Sequence, residues 1–187
     1  HRICRMCCDH FSVFSKHFLC ITMISGYQSA PAVFEQCINY FAEAIINRLG
    51  RGRFLGFSAG SNPAAGLDPL TIYQLQRNNY DPEDLQVNDW NDYAAADAPP
   101  MDFVITLSDE LPDTPHPEWP NRPMITHWPI LDPIDAEGEE MQRKAAFVKA
   151  LTELESRISI FVNLPIASLD RLKLQQSLDD IGRKTTD

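Results

Sequence analysis

The chain has 187 residues, with 26 Asp and Glu against 16 Lys and Arg, a net charge of -10. The length suffices for one domain with its own core. The acidic balance excludes a groove that tracks nucleic-acid phosphates, which needs clustered Lys and Arg, and an anionic membrane surface.

The chain opens on His1 rather than on a methionine, which reads as a fragment or a mistranslated opening. Residues 1–39 mix Cys, His, Phe and Ser without a sustained period and read as an irregular or aberrant segment, set apart from a patterned domain over 40–187. The apolar stretch Phe18 to Ile24 falls short of the ~20 residues a membrane-spanning helix needs. No small-residue cleavage site follows it, so it is not read as a signal peptide. All five cysteines, Cys4, Cys7, Cys8, Cys20 and Cys37, lie in the first fifth of the chain. A disulfide framework would spread through the fold it staples, so the expectation is a reduced, cytoplasmic protein. Cys4-x2-Cys7 and His17-x2-Cys20 have the pair spacing of a zinc site, the one reading that would make the opening a small binding module.

Beyond residue 40 the signals fall into order. Phe41, Ile45 and Leu49 recur every four residues and Gly50 follows, which predicts a helix with its stop. Residues 54–59 form a short apolar run, a predicted strand. Asp68-Pro69 marks a helix start that runs through Leu70 to Asn78. A polar connection leads to Asp89, and Trp90 to Ala98 reads as a short helix. Residues 102–107 are a β-branched apolar run, a buried strand. Leu111 to Pro123 carries five prolines and must be irregular. Met124 to Trp128 reads as a strand. Glu139 to Val162 is the longest helix, with Phe147, Leu151, Leu154, Ile158 and Phe161 as its core stripe. After Pro165, Ser168 is the expected cap of a last helix through Leu178. Strands alternating with helices predict an α/β fold with a parallel sheet.

Several segments, in order, resemble the low-molecular-weight protein-tyrosine-phosphatase and arsenate reductase family. They are residues 42–47 (Ala-Glu-Ala-Ile-Ile-Asn), 57–63 (Phe-Ser-Ala-Gly-Ser-Asn-Pro), 101–108, Thr126-His127-Trp128 with Leu131-Asp132-Pro133, and 168–172. The resemblance implies a three-layer α/β fold, a four-stranded parallel sheet with helices on both faces. It implies cysteine-thiolate chemistry on a tetrahedral oxyanion, in a loop of the form cysteine, five residues, arginine, then serine or threonine. Backbone N–H groups and a helix N-terminus hold the anion, the same field lowers the thiol pKa, and the arginine clamps the oxygens. The substrates implied are arsenate, phosphate or phosphotyrosine, with no cofactor.

The chain departs from this pattern at its centre. The loop belongs just before Phe41, where Ala32 stands for the nucleophile and Ile38 for the arginine. Six residues after Cys4, Cys7, Cys8, Cys20 and Cys37 stand His10, Val13, Phe14, Gly26 and Glu43, so none has the partner arginine. The expectation is a protein inactive with this sequence. Cys37 is open to two readings, a displaced nucleophile or an ordinary apolar cysteine, and Cys20 is the other thiol candidate. One cause would be an opening read in the wrong frame: codons TGC ACC GGC A, read one base late, give the Ala-Pro-Ala of residues 30–32. Asp132, ahead of Pro133, stands where the family has the acid that protonates the leaving group. His127 and Trp128 read as packing residues. Glu43, Ser58 and Asp89 resemble positions that hold potassium in some reductases, but their plainer reading is helix surface and turn polarity, so no metal is expected. No cysteine follows the strand at Thr106 or stands in the Pro112 to Pro117 loop. A thioredoxin relay is therefore not expected, and arsenate chemistry would need a low-molecular-weight thiol as reductant.

Overall fold

The computed structural model describes residues 18–24, 37–60, 67–83, 85, 88–107 and 117–184. Four strands, β1 (Phe18–Ile24), β2 (Phe54–Gly60), β3 (Phe103–Thr106) and β4 (Met124–His127), form one sheet in the order β2-β1-β3-β4, with every pairing parallel. Four α-helices connect or follow them: α1 (Cys37–Leu49), α2 (Pro69–Arg77), α3 (Glu140–Val162) and α4 (Arg171–Arg183). The parallel α/β class expected from the alternation of elements is the class observed.

Of the segment 1–39 expected to be irregular, residues 1–17 and 25–36 lie outside the described residues, and the described parts, 18–24 and 37–39, are a strand and the start of a helix. β1 is an inner strand, paired with β2 from Phe18↔Phe54 to Ile24↔Gly60 and with β3 from Cys20↔Phe103 to Met23↔Thr106. Its sequence, Phe-Leu-Cys-Ile-Thr-Met-Ile, is the apolar, β-branched run that a strand covered on both faces requires. The boundary expected at residue 39 falls inside α1, whose first three residues, Cys37, Ile38 and Asn39, are buried. Periodicity failed here because one short strand followed by a helix start offers too few turns to show a period.

One face of the sheet carries the main core. Phe54, Phe103, Ile105 and Met124 pack there with α1, α3 and α4. Phe161 of α3 is its aromatic centre, with ring centroids 5.0 Å from Phe54, 5.3 Å from Phe103 and 5.8 Å from Trp128. Alternation sends Leu55, Phe57, Ala59 and Val104 to the other face, against Trp90, Tyr93, Met101 and Trp119. Among the described residues this face is covered by a 3-10 turn (Trp90–Ala94) and irregular chain, where a second layer of α-helices was expected. Three aromatic side chains bring enough area to close it without one. The predicted helix over Trp90 to Ala98 is that shorter turn.

Caps set the helix ends. Asp68 accepts from the N–H groups of Leu70 at 2.7 Å and Thr71 at 3.4 Å, as the Asp-Pro pair predicts. At α4 the cap is Asp170, accepting from Lys173 N–H at 2.9 Å; Ser168, the expected cap, donates to the Pro165 carbonyl instead. Two polar residues so close in sequence compete for one cap, and the Ile166–Ser168 3-10 turn takes Ser168 out of position.

β2 is an outer strand, and side chains occupy its outer backbone groups. The Asn47 amide of α1 donates to the Gly56 carbonyl at 3.1 Å and accepts from the Gly56 N–H at 2.8 Å. The Ser58 N–H reaches the Glu43 carboxyl. Asn88 donates to the Ser58 carbonyl at 3.0 Å, and its own carbonyl accepts from Gly60 at 3.1 Å. On β4, at the opposite edge, Gln175 of α4 donates to the Ile125 carbonyl at 2.9 Å.

Candidate functional site

In open parallel sheets, sites form beyond the carboxyl ends of the strands. β4 leads there through Trp128 to Asp132. The ladder continues past its end, since Trp128 N–H donates to the Thr106 carbonyl at 2.8 Å and Ile130 N–H to the Leu107 carbonyl at 3.0 Å. The buried Trp128 ring donates through Nε1 to the Leu178 carbonyl at 2.9 Å, and His127 Nδ1 lies 2.8 Å from Thr106 Oγ1. Both act as the packing residues expected of them.

Asp132 caps the 3-10 turn Pro133–Asp135, its Oδ1 accepting from Ile134 N–H at 3.0 Å. The same oxygen accepts from the Cys37 thiol at 3.1 Å. Two residues named separately from the sequence, 95 positions apart, thus meet at the first residue of α1. Cys37 is 1% exposed. Burial pushes its thiol well above the usual range, the Asp132 charge and hydrogen bond push the same way, and the Asp68 charge adds to them; the Thr71 hydroxyl opposes. A helix N-terminus favours a thiolate by about 2 kcal/mol at most. An uncompensated buried charge costs several kcal/mol, so burial wins and the thiol stays protonated at neutral pH. Among the described residues, the charges acting on Cys37 are those of Asp132 and Asp68, both negative. This is the reverse of the field that makes a cysteine nucleophilic.

The other sequence candidates lie elsewhere. Cys20 is the third residue of the inner strand β1, in register with Gly56 and Phe103, and about 13 Å of strand, at ~3.3 Å per residue, separates it from the carboxyl end. Cys4, Cys7 and His17, the rest of the zinc reading, lie outside the described residues, as do Ala32, the 108–116 segment and the chain between β1 and α1.

Glu43 and Ser58 correct the sequence reading. Neither is surface: Glu43 is 7% exposed and Ser58 2%. Ser58 Oγ donates to Glu43 Oε2 at 2.5 Å, and burial pushes the Glu43 carboxyl up to about 7. The reason is the strand edge, which needs an acceptor for Ser58 N–H and draws the carboxyl inward. Asp89 keeps the turn role, accepting from Asn91 N–H at 2.8 Å. Glu43 and Ser58 are joined to each other, and Asp89 is bonded to Asn91. A cavity of about 310 Å³ lies apart from Asp132, lined by Arg53, Phe54 and residues 164–168. Its arginine is committed to the Val162 carbonyl at the end of α3.

Three neighbours escaped the sequence reading. Asp68 and Thr71 act on Cys37, but Asp68 had registered only as a helix start. Arg157 is 3% exposed and hydrogen-bonds the Pro129 carbonyl on the way to Asp132. A signal for Arg157 existed: it stands within the stripe Leu154, Ile158, Phe161, where a surface arginine has no place.

No protein-family model matches the chain, and no curated protein matches it. Solved structures do. An arsenate reductase in a phosphate-binding state is 18% identical, over 78% of this chain and 96% of that one, with a TM-score of 0.57. A protein tyrosine phosphatase is 14% identical, over 83% and 100%, with a TM-score of 0.51. The thioredoxin-dependent arsenate reductase of Corynebacterium glutamicum is 17% identical, over 78% and 60%, with a TM-score of 0.50. The fold is thus the one shared by arsenate reductases and a tyrosine phosphatase, as the sequence resemblance implied. Among the described residues no helix is long and apolar enough to cross a membrane.

Proposed function

We propose that this chain is an oxyanion-handling protein of arsenate reductase and phosphatase ancestry whose thiolate chemistry is switched off in the present sequence. The observation that carries the reading is the Cys37 thiol donating to Asp132 at 3.1 Å in a buried setting. Asp132 stands beyond β4, where an acid for a leaving group belongs, at the start of the helix that follows the oxyanion loop in the resembled family. The thiol beside it is held neutral and shielded, so it cannot attack phosphorus or arsenic. Arsenate, phosphate or a phosphotyrosine side chain is the substrate class of the ancestral site, with a small thiol as the reductant for arsenate. The domain to which this applies spans residues 40–187 together with the strand and helix start that precede them.

The test is a burst of phosphoenzyme with an aryl phosphate between pH 5 and 8. The chain is expected to show none, because losing a nucleophile costs on the order of 10⁶ in turnover in the protease precedent. Replacing residues 32–39 by Cys-Thr-Gly-Asn-Ser-Ala-Arg-Ser is expected to restore the burst. Activity of the unaltered chain that disappears in Cys37→Ser would overturn the inactive reading. A rebuilt enzyme that keeps its full rate in Asp132→Asn would overturn the acid.

A further inference from the structure

Arg157 is buried near the C-terminal end of α3, and its guanidinium ties together three parts of the fold. Nη1 donates to the Pro129 carbonyl at 3.0 Å, while Nη2 donates to Glu153 Oε1 at 2.7 Å and to the Lys184 carbonyl at 3.1 Å. Removing a cation of this size from water is costly, and the partners here are one carboxylate and two main-chain carbonyls. A leucine would fill the same stripe position without that penalty. The arginine is explained by what it holds.

What it holds is the segment that carries the acid. Pro129 has no N–H, so its carbonyl is the one main-chain hydrogen-bonding group by which that residue can be anchored. Its neighbours are fixed by the extended ladder, Trp128 to Thr106 and Ile130 to Leu107. Leu131 then turns out to solvent, 72% exposed, and Asp132 comes back over Cys37. The anchors up to Ile130 and the cap to Ile134 on its far side therefore both act on the position of the carboxyl.

We propose that Arg157 is a positioning residue that holds the 128–132 segment, through the Pro129 carbonyl, so that the Asp132 carboxyl stands over the start of α1. The inference rests on Asp132 being the acid of the site proposed above. Lys184, at the end of α4, is joined to the same guanidinium, so the seating of the C-terminal helix and the height of the acid are set together.

The Cys37 thiol reports the position of the carboxyl without any need for turnover. Among the described residues the charged groups acting on it are Asp132 and Asp68, so moving the Asp132 carboxylate away releases one of these. The experiment is the pH profile of iodoacetamide alkylation of Cys37, read by peptide mass spectrometry in the full-length chain, with backbone amide exchange of α3 followed as a control for global opening. Asp132→Asn is expected to speed Cys37 alkylation roughly tenfold near pH 8, because the neighbouring negative charge is removed. Arg157→Met is expected to shift the profile the same way by at least threefold, Arg157→Lys by less, and the double variant Arg157→Met with Asp132→Asn no further than Asp132→Asn alone. A slower Cys37 in Arg157→Met overturns the proposal. An unchanged Cys37, or effects that multiply in the double variant, overturns it as well, as does a rise at Cys37 matched by faster amide exchange throughout α3, which is general loosening. If Asp132→Asn itself leaves Cys37 unmoved, the failure lies in the underlying reading of the Cys37–Asp132 site.

Discussion

Glu43 is where a single residue makes the molecule sensitive to pH. Its ordinary pKa of 4.5 rises to about 7 on folding, because burial penalises the carboxylate more than the bonds to Ser58 favour it. Between those values the folded chain binds more protons than the unfolded one. The stabilising contribution is therefore complete below about pH 4.5 and is lost as pH rises through 7, on the order of 3 kcal/mol across the full window. His127 works in the opposite sense, since burial holds it below its ordinary 6.5. The difference between variant and parent isolates the carboxyl. Glu43→Gln keeps the size and hydrogen-bonding capacity, and is expected to melt higher than the parent at pH 8 and to lose the advantage at pH 5. Parallel Tm–pH curves for the two would show that Glu43 titrates normally.

At the scale of elements, α4 meets β4 through a glycine. A Cβ on Gly182 would stand 2.4 Å from the His127 carbonyl oxygen and 2.7 Å from Trp128 Cδ1. On an exposed helix, Gly→Ala gains up to about 1 kcal/mol. Here the obstacle is main chain that the sheet holds in place, so overpacking decides, and Gly182→Ala is expected to cost about 1–3 kcal/mol. Urea unfolding measures the sum, and Trp128 fluorescence reports the seating of its indole on Leu178. An increase in stability would mean that α4 is free to slide.

The elements also show what a sequence reveals. Helices of two or more turns with a regular stripe, such as α3, and strands bounded by proline and aspartate, such as β3, follow directly from pattern. β1 did not, because six apolar residues around one threonine, without a period, fit several uses equally. The site was legible as residue types and not as a contact: Asp132 announced itself through Asp-Pro in context, Cys37 as a thiol without its arginine. No spacing rule joins two residues 95 apart. Arg157 could have been found by asking why a charge interrupts an apolar stripe.

For the whole molecule, the likeness to reductases raises the question of electron supply. A likeness in fold to a thioredoxin-dependent reductase does not by itself imply a relay, and after Cys37 the chain contains no cysteine. A disulfide passed outward needs a further thiol within reach of the first. Thioredoxin, its reductase and NADPH are therefore expected to give no sustained arsenate-dependent oxidation of NADPH. Steady multiple turnovers in that assay would sink the reading, and a rate that depends on glutathione would return Cys20 and Cys37 to consideration as nucleophiles.

The side chains along β2 have a consequence for how copies of this chain behave toward one another. A sheet's outermost strand ordinarily shows a ladder of unused donors and acceptors, a template on which a foreign strand can grow. Asn47, Glu43 and Asn88 fill that ladder from Gly56 to Gly60. The amide of Asn47 does so with the two-bond geometry that a neighbouring peptide would use. Asn47→Ala uncovers both groups of Gly56 at once. Its expected signature is self-association out of proportion to lost stability: light scattering at micromolar concentration should rise well before the unfolding midpoint, whereas Asn163→Ala, at the solvent-exposed end of α3, should unfold without it. Equal scattering from the two variants would leave β2 no role in keeping the molecules apart.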